Sequence, residues 1–390
     1  MTTPAPYLHE RLQGFGTTIF TAMSALAAET GAVNLGQGFP DTDGPGTVSQ
    51  AAIDAINAGH NQYPPLPGIE ELRRAIARHR RHHRGQTFDP DSEILVTTGA
   101  TEALAAALLA LTGPGDEVVT FEPYYDSYAA GIAMSGATRR VVTLRGDDYS
   151  FDPDELVASF TSSTKLLLLN SPHNPTGKVF SRAELESIAR VCIERDVLVV
   201  TDEVYEHLVY DDHEHIPIAT LPGMAERTLT ISSAGKIFSF TGWKIGWACG
   251  PAPLVAAVRT AKQYLTFASG TPWQHAVAAG LGLGDEFFHG YVAEMQSKRD
   301  RLCGGLEAAG FEIIRPQGTY FVTADIRSVG AEDGIDFCRS LPRTAGVVAV
   351  PSQVFYDHEN EGRHLVRFAF CKKDTVLDEA AHRLLAAEGF

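Results

Sequence analysis

The sequence predicts an α/β protein: a three-layer large domain, with helices on both sides of a mostly parallel sheet, followed by a smaller α+β domain. Three observations carry that reading. Apolar runs of strand length alternate with helical patterns from about residue 94 to 231. These runs are continuously apolar, so both faces of the sheet are covered. After about residue 275 the alternation gives way to a long helical stretch and short strands. The division that follows is an N-terminal arm over residues 1–35 that joins the small domain, a large domain over 36–275 and a small domain over 276–390.

In the arm, Ile19, Phe20, Met23, Leu26 and Ala27 have helical spacing, and Gly31 supplies a stop. Asn34-Leu35-Gly36-Gln37-Gly38-Phe39-Pro40 holds a Gly-x-Gly. No helix start follows it, so a dinucleotide motif fails on context. A backbone that approaches a ligand closely at Gly38 remains open. Ile69 to His83 forms an amphipathic helix with Leu72, Ala75 and Ile76 on one face. Ile94 to Thr98 is a strand, and Gly99-Ala100-Thr101 leads into a helix from Glu102 to Leu111. A strand passing through glycine into a helix N-terminus can hold an anion on unpaired amides. The residues alone favour an ordinary strand-to-helix turn. Further strands are Val118–Phe121, Leu166–Leu169, Val197–Val200 and Thr228–Ile231. Ser181 to Arg195 is a helix with a capping box, Ser181 and Glu184. In the small domain, a helix through Glu286 to Leu306 precedes strands at Phe311–Ile314, Tyr320–Val322 and Leu365–Phe370, and Thr375 to Ala387 is helical.

With 390 residues, 44% hydrophobic content and a net charge of −16, the chain suits a soluble enzyme and lacks the basic face that nucleic acid requires. The basic run Arg78 to Arg84 closes a helix, where cations suit the dipole, and is expected to be a solvated helix end. Five scattered cysteines with no C-x-x-C pair suggest neither disulfides nor zinc. At His213-Glu214-His215 a polar loop is the better reading than a metal site. No signal-peptide core and no membrane-length apolar run are present, so the expectation is a cytoplasmic protein with no membrane partner and no metal.

The chemistry concentrates in Ser232-Ser233-Ala234-Gly235-Lys236-Ile237-Phe238-Ser239-Phe240-Thr241-Gly242-Trp243-Lys244-Ile245-Gly246-Trp247, which follows a strand. A lysine among small and apolar neighbours has a lowered pKa and offers a free amine, as a Schiff-base lysine must. Ser233 and Lys244 flank Lys236 and can serve one anion. Thr201-Asp202-Glu203-Val204-Tyr205 ends another apolar strand. A buried Asp202 requires a cation, while an exposed carboxylate starting a helix weighs evenly against it. Asn170-Ser171-Pro172-His173-Asn174-Pro175-Thr176-Gly177 holds Asn174 between prolines in a fixed backbone, which a rigid turn would also explain.

Together these stretches resemble the fold-type I aminotransferases that use pyridoxal phosphate. The likeness is greatest to the actinobacterial N-succinyldiaminopimelate enzymes and the kynurenine/glutamine/methionine branch. It covers nearly the whole chain, and Lys244 stands where aspartate aminotransferases usually carry Arg. The resemblance implies that Lys236 forms the Schiff base and acts with Asp202 and Tyr205 in catalysis. Asp202 would face the ring nitrogen, Tyr205 and Asn174 the ring hydroxyl, and Tyr125 the ring plane. Gly99, Ala100, Thr101, Ser233 and Lys244 would hold the phosphate. Gly38, Asn174 and Arg367 would bind the substrate, Arg367 through its α-carboxylate. Tyr63 would reach the phosphate in a neighbouring subunit, which implies a homodimer with shared active sites. The implied substrates are amino acids and 2-oxo acids, with N-succinyl-L,L-diaminopimelate and 2-oxoglutarate foremost. The stretch Phe267 to Pro272 lacks the arginine with which aspartate aminotransferases bind a distal carboxylate. The carbanion chemistry also admits β-lyase action on cysteine S-conjugates. A sensor version of this fold needs a helix-turn-helix domain ahead of it, and only a short arm precedes Val33, so an enzyme is expected.

Overall fold

The computed structural model describes residues 7–387 and 389–390. The arm carries α1 (Ile19–Thr30), capped by the Thr18 side chain and ended by Gly31 in a left-handed conformation. Next come β1 (Val33–Asn34), α2 (Gly46–Asn57) and α3 (Glu70–Arg84). The alternating region follows: β2 (Ile94–Thr98), α4 (Gly99–Leu111), β3 (Glu117–Glu122), α5 (Asp126–Ser135), β4 (Thr138–Thr143), α6 (Pro153–Ser159), β5 (Thr164–Asn170), α7 (Arg182–Glu194), β6 (Leu198–Asp202), β7 (Thr228–Ser233), α8 (Ala234–Ile237) and β8 (Ile245–Cys249). Then α9 (Ala252–Gln263), α10 (Thr271–Gly280) and α11 (Asp285–Ala308) lead to β9 (Glu312–Ile314), β10 (Phe321–Asp325), α12 (Gly334–Thr344), β11 (Val347–Val348), β12 (Val350–Pro351), β13 (Leu365–Ala369) and α13 (Asp374–Leu385).

The large sheet has seven strands in the order β2-β8-β7-β6-β5-β3-β4. Only β8 runs antiparallel to its neighbours. Strand alternation explains the continuous apolar runs. Leu166 and Leu168 of β5 pack with Leu104, Leu108 and Val258 on one face. Leu167 and Leu169 pack with Leu185, Ile188 and Cys192 of α7 on the other. Each such leucine contributes about 2 kcal/mol by leaving water. The capping box at Ser181 and Glu184 is present.

A four-stranded antiparallel sheet, β12-β13-β10-β9, forms the second core with α1, α12 and α13. Helix α11 serves both cores: Phe288 packs beside Leu72 and Trp247, whereas Met295, Leu302 and Leu306 pack beside Phe321 and Phe368. The arm joins the second core, since β1 pairs with β11 and Met23 and Ala27 are buried there.

Two sequence expectations change. The basic run is a solvated helix end on one side only, where Arg78, Arg81 and His82 are exposed. His79 and Arg80 are buried, and Arg80 pairs with Glu203 and Glu206. Residues 245–249, where no strand is expected, form β8, which inserts between β2 and β7. Because β8 runs backwards, Lys244 at its start reaches the edge where β2, β5, β6 and β7 end. His215 is buried 3.3 Å from the Glu203 carboxylate. All five cysteines are buried and unpaired by disulfides. Among the described residues, no helix is long and apolar enough to cross a membrane.

Candidate active site

Ligands in such sheets bind beyond the carboxyl ends of the strands. A cavity of about 350 Å³ lies there. It brings together Gly38, Gly99, Ala100, Thr101, Tyr125, Asn174, Asp202, Tyr205, Ser233, Lys236, Lys244 and Arg367, twelve of the thirteen site candidates. Tyr63 is absent from it: that ring is 84% exposed, edge-on to Phe267 at 5.7 Å.

Lys236 sits in the single turn of α8. Its Nζ donates to the Tyr320 hydroxyl at 2.8 Å, and that hydroxyl donates to the Gly38 carbonyl at 2.6 Å. Burial pushes the amine down to about 8, with Cys371 and Asp202 opposing the shift and Lys244 and Arg367 adding to it. Asp202 ends β6 and accepts from the Tyr128 hydroxyl at 2.7 Å. Burial pushes its carboxyl up to about 6, against that hydrogen bond and the Val204 amide. Among the described residues Asp202 makes no ion pair, unlike its neighbour Glu203. Asn170, at the end of β5, accepts from the Asn174 amide at 2.7 Å and donates to the Asp202 carbonyl at 2.8 Å, tying the two loops together.

Arg367 lies in β13 and is 1% exposed. Its Nη1 donates to Asn174 Oδ1 at 3.0 Å and its Nη2 to the Gly36 carbonyl at 3.1 Å. Phe321 lies under the guanidinium at 3.9 Å, with Phe20 of the arm at 5.2 Å. Burial lowers its pKa to about 10. Its Nε has no hydrogen-bond partner among the described residues. A buried guanidinium with a vacant donor and no carboxylate is costly unless a ligand completes it.

One end of the cavity is lined by the start of α4 and by Lys244, just before β8. Gly99, at φ +73°, starts α4, and a Cβ there would lie 3.2 Å from Lys244 Cε. Glycine suits that conformation, and a side chain there would crowd the end of Lys244. Lys244 itself adopts a left-handed conformation, so its side chain turns over the α4 N-terminus. Free amides, an ammonium and the Ser233 side chain form a donor set for an anion.

Residues 30–384 match the family described as aminotransferase class I and II. The chain belongs to that family. A probable N-succinyldiaminopimelate aminotransferase, DapC, of Mycobacterium tuberculosis is 52% identical over 96% of this chain and 97% of its own length. A methionine aminotransferase of Escherichia coli is 40% identical over 96% of this chain and 97% of its own. The solved N-succinyldiaminopimelate aminotransferase from Mycobacterium tuberculosis superposes with a TM-score of 0.95 at 53% identity, covering 97% of this chain and 99% of that one. The family resemblance, the three-layer fold and the enzyme class read from the motifs are thereby borne out.

Aminotransferases of this family use pyridoxal phosphate, and the cavity fits it. A buried carboxylate without a cation, a buried amine of lowered pKa and an anion cradle lie in one space. The motif reading missed Tyr128, Tyr320, Asn170 and Phe20. Tyr128 lies three residues after Tyr125, one helical turn on. Tyr320 and Phe20 come from segments far away in sequence and carried no local signal.

Proposed function

We propose that the chain is an aminotransferase that takes the amino group of N-succinyl-L,L-diaminopimelate and passes it to 2-oxoglutarate in two half-reactions. The identity to the Mycobacterium tuberculosis relative, spread over nearly the whole chain, carries the donor assignment. The convergence of Lys236, Asp202 and Arg367 on one cavity carries the site. When bound, pyridoxal phosphate supplies an aldehyde that takes the amino group and a ring that accepts the electron pair released at the substrate Cα.

The residues divide that work. Lys236 would hold the cofactor's aldehyde and would move the proton at the substrate Cα as general base and acid, a task suited to an amine that burial lowers to about 8. Asp202 would hold a positive charge on the ring nitrogen, a role that uses its carboxylate. Tyr205 and Asn174 would serve the ring hydroxyl, and Tyr125 the ring face. Gly99, Ala100, Thr101, Ser233 and Lys244 would hold the phosphate. Arg367 grips the substrate α-carboxylate, with Gly38 closing beside it. Tyr63, exposed on the surface, serves the phosphate of a second copy in a homodimer with shared sites.

A second reading, a methionine- or kynurenine-type aminotransferase, rests on the 40% identical relative and on a kynurenine–oxoglutarate transaminase of Dictyostelium discoideum at 38%. Turnover of succinyldiaminopimelate, kynurenine, methionine and cystathionine against 2-oxoglutarate separates the readings. The proposal expects the highest kcat/KM on succinyldiaminopimelate. A higher value on methionine or kynurenine refutes it, and pyruvate release from cystathionine would reveal β-lyase action.

A further inference from the structure

The turn from Asp202 to Glu206 has two faces. Asp202 and Tyr205 line the cavity. Glu203 and Glu206, one position further on in each case, are 1% exposed and enter a separate buried network. Glu206 Oε2 accepts from Arg80 Nη1 at 2.6 Å and Arg84 Nε at 2.9 Å, and its Oε1 accepts from the Ser232 hydroxyl at 2.8 Å. Glu203 Oε2 accepts from Arg80 Nη2 at 2.9 Å. The Gln86 carbonyl oxygen takes the Arg80 Nε at 3.0 Å.

Arg80 comes from α3 and is fully buried. Two guanidiniums and two carboxylates balance, so the network is neutral as a unit. Strand alternation also places Ser232 in the network and Ser233 in the cavity. The network therefore grips the backs of the segments that present Asp202, Tyr205 and Ser233.

We propose that Arg80 is the positioning residue of this active site: by pairing with Glu203 and Glu206 it fixes the direction in which Asp202, Tyr205 and Ser233 meet the cofactor. The inference rests on the cofactor roles given to those three residues above. Its physical ground is that a side chain aims a ligand only as well as its own support is locked. A planar fork bridging two carboxylates locks the turn in a way that a flexible ammonium cannot.

Charge makes the role measurable. Asp202 faces Tyr128 of α5, Lys236 of α8 and Glu203 on its own turn; behind Glu203 stand Arg80 and His215, and Arg84 pairs with Glu206. Without Arg80, Glu206 keeps Arg84 but Glu203 loses its arginine, and the excess negative charge favours the protonated form of groups in the cavity.

The experiment uses holoenzymes of the wild type, Arg80→Met, Arg80→Lys and Arg299→Met. Arg299 is an equally buried arginine, bonded to Asp211 at 2.6 and 3.0 Å and outside the cavity lining, and it controls for stability. At a temperature where all are folded, Arg299→Met is expected to keep the wild-type pH titration of the cofactor's visible absorbance. Arg80→Met is expected to move that midpoint up by about one pH unit. It should also weaken pyridoxal phosphate binding roughly tenfold and lower kcat roughly 10²-fold, with little change in the KM of the 2-oxo acid. Arg80→Lys is expected to recover part of the loss. An unchanged midpoint and cofactor affinity in Arg80→Met would overturn the proposal. If that variant does not fold, Glu203→Gln replaces it: the midpoint is expected to move down, and no movement overturns the proposal. A wild-type enzyme without a pyridoxyl group on Lys236 after borohydride reduction overturns the cofactor assignment as well, and so marks that failure apart.

Discussion

The two faces of the Asp202–Glu206 turn bury charge in opposite ways. On the far face, Glu203 and Glu206 meet Arg80 and Arg84 at 2.6 to 2.9 Å, and the arginines hold both carboxyls below the usual range despite burial. On the near face, Asp202 has only hydroxyl and amide donors, and burial pushes its carboxyl up to about 6. Across the cavity, Arg367 has a vacant Nε and a lowered pKa. One face is complete within the chain. The other is complete only with a ligand that brings a cation to Asp202 and a carboxylate to Arg367. Unpaired buried charge therefore marks the site, and paired buried charge marks its support.

The largest test of that contrast is Lys236→Ala, which removes the near face's reactive amine. Turnover is expected to fall by roughly 10⁴-fold or more, measured as 2-oxo acid consumption, because both the bond to the cofactor and the proton carrier are lost. A more even test compares two buried arginines in the cofactor-free protein. Arg80→Met is expected to lower the unfolding free energy by about 3–5 kcal/mol in urea, since two carboxylates lose their partner. Arg367→Met is expected to change it by less than about 1 kcal/mol or to raise it, since an incompletely bonded cation is replaced by apolar volume. Equal losses would erase the distinction between the faces.

The pH dependence sharpens the contrast further. Asp202 has a raised folded-state pKa, so the cofactor-free fold binds its proton where the unfolded chain has released it. Stability contributed by that proton is lost as pH rises from about 4 to about 6, by about 3 kcal/mol. Glu203 and Glu206 are depressed and act with the opposite sign, losing stability as pH falls below the ordinary glutamate range. Unfolding titrations of Asp202→Asn are expected to lack the loss between pH 4 and 6; a profile that matches the wild type contradicts the assignment. The smallest effect concerns the substrate. Arg367→Lys keeps the charge but not the fork, and kcat/KM for the amino donor is expected to drop roughly 30-fold, mostly through KM.

What the sequence made legible follows the same divide. Lys236, Asp202 and Asn174 stand in short loops and strands whose neighbours advertise them: a lysine among small residues, an acid ending an apolar strand, an asparagine between prolines; Arg367 was legible only through the family resemblance. Their convergence follows from the parallel sheet, whose strands end on one edge. Lys244 was legible as a residue, while its route to the site was not. Only the reversed direction of β8 brings it there, and a five-residue strand of Ile-Gly-Trp-Ala-Cys beside glycine loops gives no clear periodicity. The basic run misled because its partners lie 122 to 126 residues away. Helix position and charge pattern describe a local dipole and are silent about a distant carboxylate. Tyr320 and Phe20 were invisible for the same reason: each reaches the cavity from the second core, through packing that no local pattern encodes.

The most direct test is to reduce the purified protein with borohydride after adding pyridoxal phosphate, then map the modified peptide by mass spectrometry. A single pyridoxyl group on Lys236 is the expected result. A pyridoxyl group on Lys244 or another lysine, or none at all, would contradict the account.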